Sequence, residues 1–171
     1  MRKRDIVLYV IACTGAFLIV PAAMVFLKLW WPEEITPWQS FATVLGGCCS
    51  AVGALFIFWA IRELWVKGRG CAGVFGKIKL QQETVKLVTT GPYALCRNPM
   101  HMGLMLFYLG VACAINSLIC LLVPVAVWIF ATAFAFFLDE PRLKRDFGEE
   151  YEKWAQSVPR FFPDPKRHTM H

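Results

Sequence analysis

Long uncharged apolar runs, separated by short polar ones, organise this chain. Residues 6–27 carry no charge and follow the basic start Arg2-Lys3-Arg4. At about 1.5 Å per residue the run is long enough to cross a hydrocarbon core of roughly 30 Å. It is longer than the apolar part of a secretory signal and has no A-x-A site before Lys28, so it reads as a first span. A connector with Trp30, Trp31, Pro32, Glu33, Glu34 and Pro37 leads to a second uncharged run, residues 38–61, closed by Arg62-Glu63. Its tryptophans suit an interfacial aromatic belt. Residues 98–138 contain no Lys, Arg, Asp or Glu, too long for one crossing and right for two, with the turn at Asn116-Ser117. Pro124 is expected to kink the fourth helix near its start.

The pattern predicts an all-α polytopic membrane protein, one domain over residues 1–171, with about four transmembrane helices at 6–27, 38–61, 99–115 and 117–138. Composition agrees: 57% of residues are apolar, 18% are charged, and mean hydropathy is +0.50. Ala42, Gly46, Ser50 and Ala54 recur every fourth position, a stripe of small side chains that lets another helix approach closely. Lys28 stands alone in the first connector, and the other cations lie at the N-terminus, in 62–97 and in 142–167. Both termini, with segments 62–98 and 139–171, are therefore expected on the cytoplasmic side. The net charge of +6 is explained by topology and anionic headgroups rather than by nucleic acid.

Seven cysteines suggest neither metal nor disulfide framework. No C-x-x-C occurs, Cys13, Cys48, Cys49, Cys113 and Cys120 sit in or beside apolar runs, and Cys71 and Cys96 face a reducing compartment. His168 and His171 lie in a polar tail. Residues 67–82, with Gly68, Gly70, Gly73 and Gly76, read as a cytosolic loop without a nucleotide-binding glycine motif.

Chemistry concentrates at two places. Residues 86–103, KLVTTGPYALCRNPMHMG, form a polar, turn-rich segment between apolar runs. Gly91-Pro92 marks a turn, and Asn98-Pro99 a helix start, with Asn capping and Pro at the first helical position. A helix N-terminus with free N–H groups, an aromatic ring and polar side chains suits an anionic or zwitterionic small ligand. The second place, Leu138-Asp139-Glu140-Pro141-Arg142-Leu143, puts two adjacent acids at the end of the last span. Asp139 is placed to cap a new helix whose first turn takes Pro141, and the carboxylates to hold an ammonium or hydroxyl of a ligand.

These elements, Leu87-Val88 with Gly91 and Tyr93, Arg97-Asn98-Pro99-Met100 with Gly103, Asp139-Glu140, Phe147-Gly148, Tyr151 and Val158-Pro159, resemble a known set. They are similar to the membrane methyltransferases related to isoprenylcysteine carboxyl methyltransferase and to the phospholipid N-methyltransferases, over residues 67–163. The resemblance implies S-adenosylmethionine as cofactor and a lipid or amphiphilic small molecule as acceptor. It places Val85, Lys86, Leu87, Val88, Gly91, Tyr93, Arg97, Asn98, Pro99, Met100, His101, Asp139 and Glu140 around the donor. Asn98 and His101 differ from the His and Tyr of members acting on isoprenylcysteine. Ala135 stands where those members carry an arginine, which weighs against a prenylated cysteine as acceptor. Methyl transfer needs positioning rather than a metal. For an amine or thiol acceptor, Glu140 and His101 are the catalytic candidates, with Asp139 beside them. The alternatives are an NADPH-dependent reductase of the sterol-reductase type and a four-helix transporter, the latter lacking the acid expected inside a span.

Overall fold

The computed structural model describes residues 3–69, 74–75, 78–79 and 84–162. Cys71, His168, His171 and the glycines at 70, 73 and 76 lie outside the described residues. The helices are α1 (Lys3–Thr14), α2 (Val20–Trp30), α3 (Gln39–Val66), α4 (Pro99–Ala114), α5 (Leu122–Phe134) and α6 (Glu140–Ser157). Inside the expected loop, β1 (Val74–Phe75) pairs antiparallel with β2 (Ile78–Lys79).

Among the described residues, three helical stretches are long and apolar enough to cross a membrane: Val10–Trp30, Gln39–Val66 and Ile119–Ser157. The fourth, Pro99–Ala114, has 16 residues and spans about 24 Å, short of the hydrocarbon core. One expected helix boundary is absent. The last stretch does not stop at Leu138: Gly15–Ile19 joins α1 to α2 and Ala135–Asp139 joins α5 to α6 as π-helical turns. Each precedes a proline by one residue, Pro21 and Pro141. A proline ring collides with the carbonyl four residues back, and the wider π turn moves that carbonyl aside. Accordingly the Val20 N–H reaches Gly15 and the Glu140 N–H reaches Ala135, each five residues back. Asp139 therefore lies in continuous right-handed helix, with no side-chain cap bond. Pro124 falls in the first turn of α5 after the 3-10 turn Ile119–Leu121, where a missing N–H costs little.

The chain divides into two compact units, residues 1–55 with 103–129 and residues 56–102 with 130–171. In the first, Met24, Tyr108, Ala112 and Cys120 form the buried centre. The Tyr108 hydroxyl donates to the Ala16 carbonyl inside the π turn. Asn116 is the expected turn, at φ 52° and fully buried. Its Oδ1 accepts from Ile35 and Thr36 N–H at 3.0 Å each, and its Nδ2 donates to the Thr36 carbonyl at 2.7 Å.

The small-residue stripe of α3, expected to let another helix approach, faces α4, and Gly53 joins it. A Cβ at Gly53 would stand 2.5 Å from the Phe107 nitrogen, and one at Gly46 would collide with Ala114 and Gly110. The Ser50 hydroxyl donates to the Phe107 carbonyl. Gly47, one position on, faces open space. Gly46→Leu should destabilise the helices by about 2 kcal/mol through forced separation of backbones, whereas Gly47→Leu should melt like the wild type. Helical circular dichroism during thermal unfolding in detergent distinguishes the two.

Candidate functional site

All the chemistry-bearing segments fall in the second unit. Its buried centre comprises Ala60 of α3, Val88, Tyr93, and Tyr151, Trp154 and Val158 from the C-terminal region, with Leu64, Leu87, Met100, Leu143 and Phe147 packed on it. Gly91–Ala94 forms a 3-10 turn that carries Tyr93 into this cluster. Gly148 breaks α6 with φ 50° and ψ −123°, a conformation open to glycine and costly for side chains with a Cβ.

Above the cluster sits Glu140, the first residue of α6. Arg160 binds its carboxylate with both arms, Nε to Oε1 at 2.6 Å and Nη2 to Oε2 at 2.9 Å. Arg97 reaches the same Oε1 with Nη1 at 3.3 Å, and that Nη1 also donates to the Tyr151 hydroxyl at 3.1 Å. Hydrogen bonding to Glu140 raises the Arg160 pKa. The Arg160 guanidinium also lies 5.7 Å from the centre of the Phe136 ring.

The backbone repeats the connection. Arg97 N–H donates to the Pro159 carbonyl at 2.8 Å, and Asn98 N–H to the Arg160 carbonyl at 3.1 Å. The Asn98 side-chain amide donates to that Arg160 carbonyl as well, at 3.1 Å. Residues 97–98 and 159–160 thus run together like a short ladder immediately before α4, whose first residue is Pro99, as the Asn-Pro pair predicted.

Asp139 pairs with Arg142 at 3.4 Å, both side chains largely covered. His101, in the first turn of α4, packs its imidazole 5.5 Å from the Phe134 ring. Cys96 is fully buried, and burial pushes its thiol up to about 11, so it stays protonated and unreactive. The Nε–H groups of Arg97 and Arg142 are buried with no hydrogen-bond partner among the described residues.

The structure thus brings together Leu87, Val88, Tyr93, Arg97, Met100 and Glu140, linked through Tyr151. Asn98 and Pro99 adjoin them. Val85 and Lys86 are exposed. Two participants escaped the sequence reading. Arg160 was legible only as a lone cation in Pro-Arg-Phe-Phe-Pro, the natural countercharge for an acidic pair near the membrane. Glu63 was taken as the polar end of the second span, yet it is only 5% exposed and packs against Gly91.

Comparison with known proteins gives this arrangement a context. The chain is similar to phosphatidylethanolamine N-methyltransferase B of Dictyostelium discoideum, with 30% identity over 107 residues, covering 63% of this chain and 51% of that protein. It is similar to protein-S-isoprenylcysteine O-methyltransferase B of Arabidopsis thaliana, 33% over 85 residues, covering 48% of this chain and 42% of that protein. It is also similar to the cobalt-zinc-cadmium resistance protein CzcN of Cupriavidus metallidurans, 35% over 78 residues, covering 45% and 35%. The chain spans about half or less of the length of these relatives. The phospholipid methyltransferase family model matches residues 41–150, a stretch that holds Glu63, Gly91, Arg97, Asn98, Asp139 and Glu140, and the chain belongs to that family.

Proposed function

We propose that this protein is a membrane-embedded methyltransferase that takes its methyl group from S-adenosylmethionine and passes it to a lipophilic or amphiphilic acceptor. The observation that carries the reading is the Arg97–Glu140–Arg160 junction, which ties the Gly-Pro-Tyr/Arg-Asn-Pro segment to the acidic pair within one unit. Membership of the family supports it. The site works at the cytoplasmic surface with both termini on that side, in keeping with the cations flanking it.

The donor fits the residues present. It carries a carboxylate, an ammonium and a nucleoside, and the site offers a counterpart for each. The buried Nε–H groups of Arg97 and Arg142 lack partners among the described residues, and a buried unsatisfied donor costs about 1–3 kcal/mol, a cost that an anionic group removes. Asp139, engaged by Arg142 through one oxygen at 3.4 Å, presents its carboxylate to an ammonium. Leu87, Val88, Gly91, Tyr93 and Met100 give an apolar and aromatic wall, and Asn98 and Pro99 fix the helix end beside it. When bound, the sulfonium supplies an electrophilic methyl group that leaves behind a neutral thioether.

The chain's own contribution is alignment and exclusion of water, which together account for several kcal/mol in such reactions. Both Glu140 oxygens already accept from guanidinium groups, so this carboxylate anchors and orients. An amine or thiol acceptor also gives up a proton, and His101 and Asp139 are the candidates to receive it. A carboxylate acceptor needs no such step. The acceptor enters from the lipid, because the site lies at the ends of apolar helices.

Purified full-length protein in lipid nanodiscs, given methyl-labelled S-adenosylmethionine and a total membrane extract, should transfer label to an organic-soluble product. Tight NADPH binding with no response to the methyl donor would overturn the reading. Arg160→Met should raise the donor dissociation constant by tenfold or more, since it strips the bidentate partner from a largely buried carboxylate, a loss of about 3 kcal/mol at most. Calorimetric titration measures it, with helical dichroism unchanged. His101→Phe should lower kcat for an amine or thiol acceptor by about a hundredfold while leaving donor KM near the wild-type value.

A further inference from the structure

Glu63, in the last turn of α3, is the one charged residue among the described residues that is nearly sealed from solvent, at 5% exposure. Its Oε2 pairs with Lys67 Nζ at 3.0 Å and accepts from the Thr90 hydroxyl at 3.3 Å. Lys67 Nζ in turn donates to Thr90 Oγ1 at 2.7 Å, closing a three-membered ring of polar groups. Arg62 adds only a long contact of 3.9 Å from a guanidinium that is 70% exposed.

The carboxyl group rests directly on Gly91. A Cβ there would stand 2.8 Å from Glu63 Cγ, 2.9 Å from Cδ and 3.1 Å from Oε1. Gly91 also has φ +63°, the left-handed region in which glycine alone is at ease. Two requirements thus meet at one residue: the backbone must turn left-handed, and its outer side must be bare because the carboxylate occupies that space. Gly91 opens the 3-10 turn that delivers Tyr93 to the site. Glu63 touches this turn from beneath, while the Glu140 junction holds the segment at its other end, residues 97–98.

Burying a carboxylate is expensive compared with burying an apolar side chain of similar size, and it is tolerated where several directed contacts are needed at once. Here, beside the ion pair with Lys67 that offsets the charge, the contacts go to Thr90 and Gly91 at the start of the donor-binding segment. An apolar side chain would fill the volume but would not register Thr90 and Gly91 against α3.

We propose that Glu63 is a positioning residue of the methyl-donor site: held by Lys67, it sets the height and register of the Thr90–Gly91 turn, and through it the placement of Tyr93. It acts on donor affinity and not on the transfer step. This inference rests on the methyltransferase reading above.

The test uses the full chain in nanodiscs, with steady-state kinetics against S-adenosylmethionine for the wild type, Glu63→Ala, Glu63→Gln, Gly91→Ala and the double variant Glu63→Ala/Gly91→Ala. Each single alanine variant should raise donor KM by about tenfold with kcat within about twofold, since a misplaced turn weakens binding of the donor before any chemistry. A merely structural role would instead reduce the fraction of active protein, lowering apparent kcat with donor KM unchanged. The double variant should be no worse than about the worse single one, because the alanine methyl at 91 enters the space that the carboxylate leaves. Glu63→Gln keeps the size and the bond to Thr90, and should raise KM about threefold through loss of the charge facing Lys67. If Glu63→Ala does not fold, the Gln variant decides. Wild-type protein that transfers methyl groups, with donor KM unmoved in the Glu63 variants or with the two single effects multiplying in the double, overturns the role of Glu63 alone. Wild-type protein that neither binds nor consumes the donor overturns the methyltransferase reading and this role with it.

Discussion

One carboxylate shared by two guanidinium groups governs the second unit. Glu140 begins α6, Arg97 stands just before α4, and Arg160 lies beyond the end of α6. Three chain segments distant in sequence are thereby pinned at their ends. The side chains are 15–35% exposed, so the pair interactions are only partly screened by water. Removing Glu140 would leave two cations facing each other with nothing between them, whereas losing either arginine leaves the other in place. The dependence is asymmetric, and it makes Glu140 the residue on which the geometry of the site turns. The backbone bonds from Arg97 and Asn98 to Pro159 and Arg160 then fix direction as well as proximity, which a salt bridge alone does not do.

Much of this was written in local pattern. Pro99 at the first position of α4, Asn116 at the turn after it and the small-residue face of α3 follow from rules that operate within a few residues, and each is where the sequence placed it. The two chemical segments were visible as polar, turn-rich stretches flanking an uncharged run. What escaped was long-range pairing. Arg160 and Glu63 carry no local signature, because their significance lies in partners 20 and 27 residues away. The new helix expected to start at Asp139 is instead a continuation of α5, for a different reason. Hydropathy falls sharply at Asp139, yet the backbone stays helical, since a π turn absorbs Pro141 and polar residues are as able as apolar ones to continue a helix.

That π turn also bears on the site. An extra residue in a helix turns everything downstream by about 100° relative to an uninterrupted helix. Ala131 and Phe134 are buried ahead of the insertion, and Leu143, Phe147, Tyr151 and Trp154 pack inward after it. Without the insertion the inward face of α5 would continue onto a different set of α6 residues, and Glu140 would rotate away from Arg97. The proline that makes the insertion favourable and the acid that the insertion aims are neighbours in sequence, Glu140-Pro141. The dipeptide thus does two jobs: Pro141 imposes the change of phase, and Glu140 is the first side chain to use it. By the same argument the acidic pair is sensitive to its exact distance from the end of α5, since a shift of one position would exchange Asp139 for Glu140 at the junction and present a shorter side chain to two arginines.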